Sequence, residues 1–149
     1  MVVVAVIGVL AKLALPSFFR ESSRGTAKSE VVGVFAELTN KELNYESKKG
    51  VYLAAAACPA SSTGKPQDVT ACSASGGVWA SLGTLMPTAT VYCSYQITAG
   101  TSAQTAAPPA GFTMRQPATG WFFIVATCLV GGTTYTFFTC SDDSTMQIK

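Results

Sequence analysis

Residues 1–18 read MVVVAVIGVLAKLALPSF, an apolar run in which Lys12 is the one charge. A helix rises 1.5 Å per residue, so Met1–Leu15 would span about 22 Å and Met1–Phe19 about 28 Å, against about 30 Å of hydrocarbon. The eleven Val, Ile, Leu and Phe residues up to Phe19 favour membrane insertion by about 3–7 kcal/mol, which Lys12 offsets by up to about 3 near mid-membrane. The run is therefore a marginal membrane span. A cleaved secretory signal would start with a basic stretch and end in a small-x-small site, and neither is visible. A buried core helix sits poorly with Lys12 and with hydrophobicity all round. A membrane or filament-core helix fits best. It is carried by Val2, Val3, Val4, Val6, Ile7, Gly8, Leu10, Lys12, Leu13, Leu15, Pro16 and Phe18.

Beyond Pro16 the pattern changes. Val31, Val34, Phe35, Leu38 and Tyr45 fall at helical spacing on one face, with Val32 and Leu43 near the edge of the stripe. Off that stripe, Glu37 and Lys41 form a favourable i,i+4 pair, while Glu42 and Glu46 repel mildly. No proline interrupts Ser17–Tyr52. Gly25 and Gly33 each weaken the helix by about 1 kcal/mol relative to Ala. Gly50, after Lys48 and Lys49, is the natural stop, because lysines suit the negative end of the helix dipole. The charge run is the solvated face of one amphipathic helix.

With 149 residues the chain is expected to make one compact domain, or one domain plus a terminal extension. Its 12% charged residues compare with about 25% in globular chains. The absence of histidine excludes Ser-His and Cys-His catalytic pairs and His-bearing zinc sites. A net charge of +2 is too small to predict a nucleic-acid surface. Within Val69–Ser141 only Arg115 is charged, so an apolar leader and a charged middle precede a nearly neutral head.

That head reads as β structure. Cys58–Gly77 is a loop rich in Ser, Thr, Ala, Pro and Gly. Val78–Leu85 and Thr90–Thr98 are expected strands joined by Met86-Pro-Thr-Ala, and Val91, Cys93, Tyr95 and Ile97 alternate onto one buried face. Ala99–Gly120 is a loop longer than ordinary connections, hence functional or mobile. Trp121–Val130, Gly131-Gly132 and Thr133–Cys140 form a hairpin, since Gly-Gly supplies the positive φ of a two-residue turn. Trp79, Trp121, Phe122 and Phe123 are expected to fill the core between sheet and helix. In-register pairing sets Cys128 opposite Tyr135, so Cys128 and Cys140 do not face each other. A Cys58–Cys72 disulfide would close a loop of about 15 residues and stabilise by about 3 kcal/mol. Cys93 is left to pair with Cys128 or Cys140. With no C-x-x-C pair, zinc has little support. The Asp142–Asp143 pair opens a polar tail and reads as solvated rather than as a calcium site. No enzymatic activity, cofactor or metal is expected. The uncharged surface suits packing against copies of the same chain, because burying charge costs more than burying Thr and Ser.

The residues also resemble a known family. Met1-Val-Val-Val-Ala-Val-Ile-Gly8, with Pro16 eight residues further on and an aromatic at Phe18, resembles the N-terminal helix of type IV pilins and pseudopilins, type IVa in particular. Glu42-Leu-Asn-Tyr-Glu-Ser-Lys-Lys-Gly-Val-Tyr52 is similar to that family's helix end. The match covers about the first 53 residues. The family's basic leader, processing site and docking glutamate have no counterpart in these residues, and the resemblance implies a true start upstream of Met1. Lys12 departs from the family's small apolar residue.

The resemblance implies an α+β fold: a long N-terminal helix with a four-stranded antiparallel sheet on its C-terminal half. Residues 1–19 would form the membrane and filament-core helix. Residues 20–149 would form the head, comprising the amphipathic half-helix 20–50, the cysteine loop 58–77 and the sheet 78–140. It further implies a homo-oligomeric filament, held first in the inner membrane of a Gram-negative bacterium, extracted by pilus assembly machinery, and displayed outside the cell for twitching motility, adhesion or uptake. Gly8–Pro16 can lose helicity in such filaments, as a proline makes a break cheap. Alternatives are a minor pilin, a pseudopilin of a type II secretion or DNA-uptake machine, and a membrane-anchored periplasmic binding domain.

Overall fold

A computed structural model describes residues 2–83, 89–101, 105–115 and 119–149, with helix side chains described at residue 22 and from residue 24 onward. One helix, α1, runs from Val2 to Lys49 without interruption, about 72 Å at the standard rise. The backbone is helical through the Gly8–Pro16 stretch. Gly50 ends it, with φ of 74° and its N–H donating to the Glu46 carbonyl at 2.6 Å, a left-handed cap that a side chain would strain.

Val31, Val34, Phe35 and Leu38 are buried, and Tyr45 packs partly against the same core, as the spacing predicts. Val32 and Leu43 are half exposed. Glu42 corrects the expectation of a solvated charged face: it is buried, because it continues the stripe four residues after Leu38.

After the helix come β1 (Ala55–Cys58), β2 (Gln67–Asp68), a 3-10 turn (Thr70–Ser73), α2 (Val78–Ser81), β3 (Thr90–Val91), β4 (Cys93–Gly100), β5 (Trp121–Val130), β6 (Thr133–Cys140) and β7 (Gln147–Ile148). The fold is α+β, and the antiparallel sheet has five strands in the order β1-β4-β5-β6-β7 rather than the expected four. Strands β2 and β3 make a small ribbon of their own, partly inside the expected 58–77 loop. The extra edges come from Ala55–Cys58, an alanine run of low strand propensity, and from the tail; both are strands only because a neighbour offers a free edge.

Val78–Gly83, the described part of the expected strand Val78–Leu85, is not a strand. Val78–Ser81 is a single helical turn that places Trp79 and Leu82, three residues apart, into the core. The Trp79 indole N–H donates to the Ala56 carbonyl at 3.0 Å, and Gly83, with φ of 66°, closes the turn. Of the expected connection 86–89, residues 86–88 lie outside the described residues.

The β5–β6 hairpin has the anticipated register, Val130 opposite Thr133 and Cys128 opposite Tyr135, with Gly131 and Gly132 at φ of 56° and 81°. On β3 and β4, Val91, Cys93, Tyr95 and Ile97 are buried while Tyr92 and Gln96 are exposed. Ser94 is buried too, its hydroxyl donating to the Pro59 carbonyl.

Two cores result from strand alternation. The helix-facing one gathers Val31, Leu38, Tyr95, Phe122, Ile124 and Phe137 among others. On the opposite face, Trp121, Phe123, Phe138 and Cys140 are covered by Phe112 of the long loop. Trp121 and Phe123 therefore do not fill the sheet–helix core, whereas Trp79 and Phe122 do. Phe112 stacks on Phe138 at 5.1 Å and Trp121 on Phe123 at 6.0 Å. A Cβ at Gly100 would overlap the Trp121 indole, so that strand end requires glycine.

Candidate functional site

The sequence nominates the first turns of α1. Val2, Val3, Val4, Val6, Ile7, Gly8, Leu10, Lys12, Leu13, Leu15, Pro16 and Phe18 all have helical backbone, while their side chains lie outside the described residues. Among the described residues no helix is long and apolar enough to cross a membrane. The apolarity of the leader is thus a property of its sequence.

The geometry explains how the rest of the helix is held. Glu30 accepts the Tyr92 N–H at 2.9 Å, the Cys93 N–H at 3.1 Å and the Tyr95 hydroxyl at 2.8 Å. One carboxylate thereby satisfies two backbone donors at the junction of β3 and β4, bonds of the stronger, charge-assisted kind. Burial and then the Glu30 charge push the Tyr95 phenol far above its ordinary range, so it stays a donor.

At the other end of the docked half, Glu42 accepts the Leu53 N–H at 2.9 Å through Oε2, and its buried Oε1 has no partner. Desolvation raises its carboxyl from 4.5 to about 7, against the opposing pull of the Leu53 bond. Lys41 donates to the Gly83 carbonyl at 2.7 Å, tying α1 to the turn after α2. The Arg24 guanidinium lies 5.2 Å from the Tyr135 ring centroid, where the ring quadrupole attracts it.

Both disulfides cross-link the head. Cys58 joins Cys72, as the loop spacing suggested. Cys93 joins Cys128, its direct cross-strand neighbour in the register of β4 and β5, with Cα atoms 4.4 Å apart. Cys140 is free and buried on the opposite face of the sheet. It pairs in register with Phe123, and alternation points it away from Cys128.

The carboxylates at 30 and 42 were not singled out in the sequence as helix fasteners. The signal for Glu42 was present, since 31, 35, 38, 42 and 45 form one unbroken stripe. That for Glu30 was not, because its partners are 62 to 65 residues away. Among the described residues, no group of three His, Cys, Asp or Glu side chains could hold a metal ion. Compared with protein-family models, curated proteins and solved structures, the chain matches none.

Proposed function

We propose that this chain is a structural subunit of a surface filament of the type IV pilin kind, polymerising through its N-terminal helix. The observation that carries this reading is a division of labour along one rod. The described core residues of α1 begin at Ala27, and the 25 residues before it, Val2–Thr26, add about 38 Å of helix.

The apolar leader forms most of that length, and its sequence has one charge in its first 19 residues. Such a surface is stable in lipid or among copies of itself. The pilin fold, the inner-membrane stage and the extracellular filament follow from the resemblance at residues 1–18 and 42–52. Two disulfides suit an oxidising compartment. In this reading the head is a spacer and outer surface, not a catalyst.

Filaments sheared from the producing cell, imaged by electron microscopy and identified by mass spectrometry, test the reading. The expected result is a polymer made of this chain with the leader retained. A chain that is monodisperse and monomeric in detergent-free buffer with residues 1–19 present overturns it.

A further inference from the structure

The solvent-facing ridge of α1 divides two grooves, and Ala36 and Asn40 border both. One flank is a groove of about 630 Å³ between the helix and the Ser81–Gly83 segment. Its charged residues are Glu37, Lys41, Lys48 and Lys49, a surplus of two positive charges. Lys41 is tied to the Gly83 carbonyl, while Lys48 and Lys49 are exposed.

The other flank is a groove of about 300 Å³, walled by the C-terminal tail at Ser144 and Met146. Directly before Ser144 stand Asp142 and Asp143, both exposed. Asp143 accepts the Thr145 N–H at 2.8 Å, which shapes the turn. Lys149 does not neutralise this pair at close range, because its ammonium lies 5.8 Å from the Phe112 ring centroid on the opposite face of the sheet. From Val69 to Ser141 the head carries one charge, Arg115.

We propose that the two flanks recognise each other on successive copies of this chain: the Asp142–Asp143 tail of one subunit enters the lysine-walled groove of the next. This rests on the filament reading and names what the head contacts. Different patches meeting on each copy make a heterologous contact, which repeats into an open helix when the rotation does not close. Complementary charge also sets orientation, since tail against tail or groove against groove would bring like charges together. With one charge between Val69 and Ser141, these two patches are what sets that register.

Two measurements on the full-length chain test the proposal. Carbodiimide treatment of wild-type filaments joins a lysine to a carboxylate only in direct contact, and is expected to give a covalent dimer linked from Lys48 or Lys49 to Asp142 or Asp143. The variants Lys48→Glu/Lys49→Glu and Asp142→Lys/Asp143→Lys should each lower filament yield several-fold, and all four substitutions together should restore it. Near-ultraviolet circular dichroism showing each variant's head still folded at the assembly temperature attributes the loss to contact rather than folding, since reversing charge at the helix end lowers the unfolding midpoint only modestly. Wild-type filaments without that cross-link, or undiminished yield in both double variants, overturn the proposal and leave the filament reading standing. A wild-type chain that forms no filaments overturns both.

Discussion

The two halves of α1 are made of one continuous helix and solve opposite problems. The half from Ala27 to Tyr45 presents one apolar stripe and finds its partner in the same chain, the sheet face of Tyr95, Phe122, Ile124 and Phe137. The leader is apolar in sequence on every side, so a single sheet face could not satisfy it even if it lay alongside. In the proposed filament, stability of the head and assembly of the polymer are therefore separable, although one rod carries both.

The largest effect that would break this separation concerns the leader. Ile7→Asp sets a charge in the apolar run and should abolish filaments on electron micrographs. The unfolding midpoint of the head, followed by near-ultraviolet circular dichroism, should stay put; a large fall would mean that the leader also supports the head. Conversely, Leu38→Ala removes a fully buried side chain and should cost about 2–5 kcal/mol of head stability in denaturant titrations.

A pH series sharpens the comparison next. Glu42 has a folded pKa of about 7 against 4.5 unfolded. Below 4.5 it is protonated in both states. As pH rises from there to about 7, the unfolded chain releases the proton first, so stability falls, and above that range the loss is complete. Glu42→Gln keeps an acceptor for the Leu53 N–H and should flatten this fall. At pH 8 the variant should be the more stable one by thermal melting, and equal pH dependence in both proteins would count against the buried carboxyl.

The smallest effect belongs to the exposed face of the docked half. Val32, half exposed, should tolerate Val32→Ser within about 0.5 kcal/mol of head stability.

Much of the head was legible because its rules are local. Gly131-Gly132 dictates a tight turn and thereby the register of sixteen strand residues, down to Cys128 opposite Tyr135. Gly50 after two lysines marks the helix end in the same way. The expected strand Val78–Leu85 fails for the converse reason: a short apolar stretch fits strand or helix, and the core site filled by Trp79 selects a helical turn at Val78–Ser81. Trp121 and Phe123 went to the outer face because alternation sends odd and even residues of β5 to different cores.

By itself, the sequence determined the rod, its change of character near Pro16, the hairpin, the Cys58–Cys72 loop and the near-absence of charge from the strands, since each depends on neighbours a few residues apart. Only the tertiary structure decided that Cys93 pairs with Cys128 and leaves Cys140 buried and single, that the alanine run and the tail become edge strands, and that Glu30 and Glu42 fasten the helix. Those outcomes depend on partners that come together when the chain closes on itself. Periodicity can say which way a side chain points, but what it meets there is set by the packing of distant segments.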